Sequence, residues 1–209
     1  CTMVESDHAR TMVTAEEGKR AAEAHDSFNL VAISPLALLT VISLVTGSAK
    51  VDKLLSNSTL AYICLDTFYN LMVPQCQPSK FRLASIILHH LLTLWLVMHP
   101  VLHPENADLT ALCTIVEINT LILTANRRLK LKFLTFAFYA TWVGMRLIWY
   151  PYLVYVLHVR ITSWGAKPFG YYHLQVVVSI SCLCVLNLLW TAEVVAGMLK
   201  KKKPAAKTS

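Results

Sequence analysis

The chain has 209 residues, of which 56% are hydrophobic and only 15% are charged, and its mean hydropathy is +0.51. Because a soluble domain carries about a quarter of its residues as charged side chains, this composition excludes a soluble globular domain and indicates a polytopic membrane protein. The net charge of +7 requires no nucleic acid as a partner, since most of the excess lies in lysines beside the last apolar segment, and such lysines attract anionic lipid head groups.

The first 27 residues mix both signs of charge and contain no apolar core, so they are not a signal peptide. This pattern predicts a polar tail that forms a short solvated helix or stays disordered. The predicted domain organisation is a polar cytoplasmic tail at 1–27, a transmembrane bundle at 28–199 and a basic cytoplasmic tail at 200–209.

Apolar runs then follow one another along the chain. A hydrocarbon core about 30 Å thick needs about 20 helical residues, and six segments qualify or nearly qualify: 28–45, 59–74, 83–101, 109–125, 133–159 and 172–199. The predicted fold class is therefore all-α, a transmembrane helix bundle of about six spans. The fifth segment contains Pro151, so it is either one kinked helix or two shorter pieces.

The distribution of positive charge favours the unsplit fifth segment. With six spans, one side of the membrane receives fourteen Lys and Arg residues and the other side receives four. Cytoplasmic loops carry the excess of positive charge, and a split at Pro151 would move the C-terminal lysines to the poorer side. The pattern predicts six spans with both termini in the cytoplasm.

Ionisable residues occur inside these runs, where they are costly and mark functional sites by default. His89 and His90 are adjacent in the third segment and point about 100° apart on a helix. Ser85 and Thr93 lie one turn before and after His89, which predicts a polar face for His89 and an apolar face for His90.

Three other segments add charged groups: Asp66 in the second, Glu117 in the fourth and Arg146 in the fifth. Because an unpaired charge in hydrocarbon is unfavourable, we expect either carboxylate to pair with Arg146 or with a histidine. Such pairs can also serve only to fix helix register, as polar side chains do in many membrane bundles, and this is the favoured interpretation for Asn187.

Five stretches of the sequence together resemble the TLC domain family, which includes the ceramide synthases and the translocating-chain-associating membrane proteins. They are LAYICLDTFYNLMVP, SIILHHLLTLWLV, EINTLILTANRRLK, Arg146 followed by Pro151, and LNLLWTAEVV. The resemblance covers roughly residues 28–200. It implies a lipid-handling protein of the endoplasmic reticulum, with sphingolipid as one substrate class.

The resemblance also assigns roles to residues. It implies that His89, His90, Asp66 and Glu117 are catalytic or contact lipid. It further implies a lipid-binding set consisting of Asn126, Arg127, Arg146, Asn187 and Trp190. Where ceramide synthases carry two aspartates in a form like H-D-x-S-D, this chain reads ALCTIVEINT with the single acid Glu117. The smaller TLC-domain proteins are therefore the nearer relatives.

The sequence is compatible with two functions. In the first, the protein binds, senses or regulates membrane lipids without turnover. In the second, it is an intramembrane acyltransferase in which the histidine pair is the general base, Glu117 or Asp66 orients it, and the basic cluster at 127–132 contacts the phosphates of acyl-coenzyme A. A metal-dependent oxygenase would need more histidine ligands at short spacing, so neither a metal nor another cofactor is predicted.

Overall fold

The computed structural model describes residues 2–165 and 170–201, which are built from helices. The α-helices are α1 (Thr2–Thr46), α2 (Ala49–Met72), α3 (Lys80–Leu102), α4 (Asp108–Thr114), α5 (Glu117–Leu129), α6 (Lys132–Thr141), α7 (Tyr150–Ser163) and α8 (Ser179–Lys201). Two π-helical segments, Trp142–Trp149 and His173–Val178, precede α7 and α8, and short 3₁₀ turns occupy Pro74–Cys76 and Pro104–Asn106. The all-α bundle predicted from the sequence is confirmed.

Four helical stretches within the described residues are long and apolar enough to cross a membrane: Glu16–Thr46, Lys80–Leu102, Asp108–Leu129 and His173–Leu199. The two other predicted spans fall in α2 and in the stretch from α6 to α7. Both are helical, but polar and aromatic side chains lower their hydropathy. The count of six spans stays a prediction.

Helix α1 continues through the predicted tail into the first apolar run. It is 45 residues long and ends at Thr46, directly before Gly47, whose φ of 58° is in the left-handed region that glycine adopts without steric cost. Because nothing interrupts this helix at residue 27, residues 21–27 lie beside α2 and α5: His25 contacts Asp66 and Asp26 contacts Arg127. The predicted basic tail at 200–209 lies mostly outside the described residues.

The fourth apolar segment is divided at Ile115 and Val116, which form a tight turn between α4 and α5. Three consecutive β-branched residues, from Thr114 to Val116, weaken helix propensity here. Glu117 follows directly in the first turn of α5, where the helix dipole favours a negative charge. The break therefore places a carboxylate in the interior of the bundle.

The fifth segment is one continuous helical stretch despite Pro151. Proline in a regular helix lacks an N–H group and collides with the carbonyl four residues earlier. Here Pro151 stands in the first turn of α7, directly after the π-helical segment Trp142–Trp149, whose wider turn removes that conflict. The helix is not split into two pieces.

Candidate functional site

A polar cavity of about 470 Å³ lies at the end of the bundle that carries the loop before α3. Helices α1, α2, α3, α5 and α8 and the π-helical segment Trp142–Trp149 contribute to its walls. The lining includes the side chains of His25, Asn29, Tyr62, Asp66, Cys76, Arg82, Ile86, His89, His90, Glu117, Leu123, Arg127, Trp142, Arg146 and Trp190. All four residues predicted to be catalytic therefore face one cavity.

Asp66 is the centre of a hydrogen-bonded network in this cavity and is 3% exposed. Its Oδ1 accepts from His25 Nε2 at 2.6 Å and from Asn70 Nδ2 at 3.2 Å. Its Oδ2 lies 3.2 Å from His90 Nε2. Two imidazoles and an amide thus compensate the buried carboxylate, which would be very unfavourable without partners.

The two adjacent histidines have different surroundings. His90 is buried, and its second nitrogen, Nδ1, lies 3.0 Å from Thr67 Oγ1. His89 packs against the ring of Trp190, and its Nδ1 is buried without a hydrogen-bond partner among the described residues. The apolar face predicted for His90 is therefore wrong, because His90 contacts Asp66 and Thr67. His89 does line the polar cavity. Ser85 and Thr93 lie one turn before and after His89 on α3, and their hydroxyl groups donate to the backbone carbonyls of Arg82 and His89.

Arg146 joins three helical segments and is 7% exposed. Its Nε donates to Asn119 Oδ1 at 3.0 Å, Nη1 donates to Asn187 Oδ1 at 3.0 Å, and Nη2 donates to Thr120 Oγ1 at 2.9 Å. The expected direct pair between Arg146 and a carboxylate does not form. The positive charge is instead shared among neutral acceptors, with Trp142 stacked 5.0 Å from the guanidinium carbon.

Glu117 is half-buried at the wall of the polar cavity. Arg146 and Thr120 lie near its carboxylate, but Thr120 Oγ1 accepts a hydrogen bond from Arg146 Nη2. Within the described part of the chain Glu117 forms no ion pair at 4 Å or less. Of the charged groups on this wall, Glu117 is thus the one left most available to a ligand.

The residues predicted to bind lipid are divided by the structure. Arg127, Arg146 and Trp190 line the polar cavity. Asn126 lies away from it and accepts a hydrogen bond from Thr135 at 3.1 Å. Asn187 supports the cavity from behind through Arg146. Their role in lipid binding stays a prediction.

Sequence reasoning missed the contribution of α1 to the site. His25 bonds Asp66, Asn29 accepts from Tyr62 at 3.1 Å, and Asp26 pairs with Arg127 at 3.2 Å. His25 and Asp26 were assigned to the polar tail at 1–27, and Asn29 to the start of the first apolar run at 28–45. The spacing of four between His25 and Asn29, which places both on one helix face, was the available signal.

The entrance of the cavity near residues 74–78 contains Cys76, which is 6% exposed and donates to Asn70 Oδ1. Burial raises the pKa of the Cys76 thiol above its usual value, so the neutral thiol predominates.

Among the side chains that the structure describes, no group of three or more His, Cys, Asp and Glu residues has the arrangement of a metal site.

These features define a class: a helical membrane protein with apolar spans around a buried, hydrogen-bonded polar cavity. The sequence model of the TLC domain matches residues 37–196, which is more than half of the chain. The protein therefore belongs to the TLC domain family, as its motifs indicated. No curated protein and no solved structure matches the chain.

The family match and the cavity do not cover the same residues. The match begins at residue 37, whereas His25, Asp26 and Asn29 lie before it. The wall that α1 adds to the cavity is thus a feature of this chain that lies outside the matched domain.

Proposed function

We propose that this protein binds membrane lipid in the polar cavity and thereby senses or regulates membrane lipid composition. The observation that carries this proposal is the convergence of Asp66, His89, His90 and Glu117 on a single cavity of about 470 Å³. Buried ionisable groups in a membrane bundle usually mark a substrate pathway or ligand site. A network that only fixed helix register would not need to enclose a cavity.

The lining of the cavity suits an amphipathic ligand. Polar groups gather around Asp66, whereas Ile63, Ile86 and Leu123 supply apolar surface. A volume of about 470 Å³ falls within the usual range for small-molecule sites, about 300–1,000 Å³, so it accommodates a lipid head group with part of a chain. The polar network would contact the head group, and the apolar wall would contact the chain.

The charges around the cavity favour a polar ligand whose net charge is small. Arg82, Arg127 and Arg146 are opposed by Asp26, Asp66 and Glu117. Arg82 pairs with Glu193 at 3.2 Å, and Arg127 pairs with Asp26 at the same distance. A zwitterionic or hydroxyl-bearing head group matches this balance better than a strongly anionic one.

The membrane orientation and organelle also belong to this proposal. The excess of Lys and Arg on the side of both termini and of the 75–82 and 126–132 loops favours a cytoplasmic location for that side. The polar cavity then opens toward the cytoplasm. We place the protein in the endoplasmic reticulum on the family resemblance, with the basic tail contacting anionic head groups.

A second function, acyl transfer, is favoured by one observation. His90 faces polar atoms with both of its nitrogens, whereas His89 has a buried nitrogen without a partner. A general base needs a free lone pair, so His89 would take the proton from an amine or hydroxyl nucleophile. His90 and Asp66 would then position the site, and acyl-coenzyme A would be the donor.

Lipid profiling of cells tests the first function. Expression of the wild type should change the abundance of lipid classes, and the double variant His89→Ala/His90→Ala should lose this effect while inserting normally. His158→Ala is the matched control, because His158 contacts His173 and does not line the cavity. Identical lipid profiles for wild type and empty vector would contradict the proposal.

An assay with purified protein distinguishes lipid binding from acyl transfer. Incubation with acyl-coenzyme A and a lipid amine should leave the thioester intact if the protein only binds lipid. Release of the free coenzyme A thiol that disappears in His89→Ala would establish the acyltransferase instead.

A further inference from the structure

The polar part of α1 forms one wall of the polar cavity, and we call residues 16–29 the arm. Five residues of the arm face the cavity, and they follow one another at helical spacing: Gly18, Ala22, His25, Asp26 and Asn29. Steps of three and four residues place all five on one face of the helix. The arm therefore covers the cavity as a continuous surface, beside the turn Pro74–Cys76 against which α1 packs.

Polar contacts hold the arm to the rest of the bundle. His25 Nε2 lies 2.6 Å from Asp66 Oδ1, and Asp26 pairs with Arg127 at 3.2 Å. Before Phe28 the arm has no apolar side chain larger than that of alanine. Van der Waals packing between apolar side chains therefore contributes little to its attachment. A few hydrogen bonds and ion pairs have to break for the arm to leave.

The rest of α1 is attached in a different way. From Ile33 onward the helix contributes fully buried apolar side chains, with Ile33 0% and Leu36 4% exposed. Both pack in one cluster with Leu55 and Ile63 of α2. Close packing of this kind is what holds helices together within a bilayer. The C-terminal part of α1 is thus fixed to the bundle where the arm is not.

The helix is weakened between these two parts. Pro35 has no N–H group, so it cannot donate to the carbonyl of Val31 in the preceding turn. Ser34 Oγ donates to the carbonyl of Leu30 at 2.6 Å, and serine bonds of this type often bend helices. Both carbonyls lie directly after the arm. Residues 30 and 31 are therefore the place where α1 bends most easily.

We propose that the arm is a lid that bends at residues 30 and 31 and controls access to the polar cavity. In the closed position seen here, His25 binds Asp66 and Asp26 binds Arg127. In the open position both contacts are broken, and a polar head group enters between α2 and α5 from the end of the bundle that carries the loop before α3. The lid rests on the proposed function for its ligand, whereas its movement does not.

Cys76 is a natural reporter of this movement. Its Sγ donates to Asn70 Oδ1, and Asn70 Nδ2 lies 3.3 Å from His25 Nε2. The thiol is thus connected to the arm through one side chain, and Cys76 is only 6% exposed. A reagent reaches it when the arm moves away, so its labelling rate follows the population of the open lid.

Labelling with N-ethylmaleimide tests the lid in the full chain, with the other five cysteines replaced by serine. Arg127→Gln removes the exposed pair with Asp26 and should increase the rate at Cys76 about two- to fivefold. Removal of a positive charge disfavours the thiolate, so an increase reports movement of the arm. Arg160→Gln, which removes the pair with Asp108 on other helices, is the matched control and should leave the rate unchanged.

The hinge is tested by a substitution that changes no charge. Pro35→Ala restores one backbone hydrogen bond and should lower the labelling rate of Cys76 about fivefold. Pro100→Ala makes the same change inside α3 and should not alter the rate.

An unchanged rate in Arg127→Gln or in Pro35→Ala would overturn the lid, and so would equal changes in these variants and their controls. The rates are measured on protein freed of lipid. A fixed arm is thereby distinguished from a cavity that does not bind lipid.

Discussion

His25 Nε2 lies 2.6 Å from Asp66 Oδ1, and this contact joins the polar half of α1 to the middle of the bundle. His25 and Asp66 are both buried, although 41 residues separate them in the chain. The contact makes α1 a wall of the polar cavity rather than a solvated tail. The cavity therefore depends on a segment that precedes the first apolar run.

Replacing Asp66 with asparagine should destabilise the protein strongly. The NH₂ group of an amide cannot accept a hydrogen bond, so the asparagine can accept from only one of His25 and His90, and a buried polar group left unsatisfied costs about 1–3 kcal/mol. Thermal unfolding in detergent measures this effect. Asp26→Asn is the control, because Arg127 in that pair is 53% exposed and an exposed pair contributes up to about 1 kcal/mol.

Equal losses of unfolding free energy in Asp66→Asn and Asp26→Asn would contradict the claim that Asp66 is the centre of a buried hydrogen-bonded network. The measurement is informative even if Asp66→Asn is poorly expressed, since His25→Gln removes only one arm of the network and should give an intermediate loss.

Arg146→Lys should not be a conservative change. A guanidinium reaches Asn119, Asn187 and Thr120 at once through its planar fork, whereas an ammonium group cannot satisfy all three positions. Leaving one buried acceptor unsatisfied costs about 1–3 kcal/mol. Arg160→Lys provides the comparison, because Arg160 binds Asp108 near the surface. Equal losses of unfolding free energy in the two variants would contradict this account.

The helical architecture and the family could be predicted because both depend on local signals. Apolar runs of spanning length indicate helices, and charged residues within them are rare enough to be noticed. Asp66, His89, His90 and Glu117 are charged or ionisable residues of this kind. Their convergence on one cavity agrees with this signal, whereas their chemical roles stay predictions.

The contacts that were missed depend on register between distant helices. Arg146 was expected to meet a carboxylate, but the π-helical segment around it adds a residue to the turn and changes the direction of the side chain. The spacing of residues in WVGMRLIW does not indicate a π-helical turn at Arg146. His25 was missed because the boundary between the predicted tail and the bundle was set at residue 27 from composition alone. The helix in fact continues through that residue.

The Cys76 thiol should react slowly with maleimide in the folded protein. Thiolate is the reactive form, and burial raises the pKa of Cys76 above its ordinary value of 9.0. The rate at pH 8 should therefore be lower than in denatured protein and should increase at higher pH than for a free thiol. Mass spectrometry of the labelled peptide measures this rate. A rate equal to that of the denatured chain would show that the cavity entrance is open at Cys76.

Lipid retained by the purified protein, quantified by native mass spectrometry, tests the central claim most directly. Ile86→Trp should fill the polar cavity without removing any of its hydrogen bonds, because Ile86 contributes apolar lining. Leu188→Trp is the control, since Leu188 is 61% exposed on the outer face of α8. Bound lipid should be retained by the wild type and Leu188→Trp and lost from Ile86→Trp. Equal amounts of bound lipid in all three proteins would contradict the claim that this cavity is the lipid site.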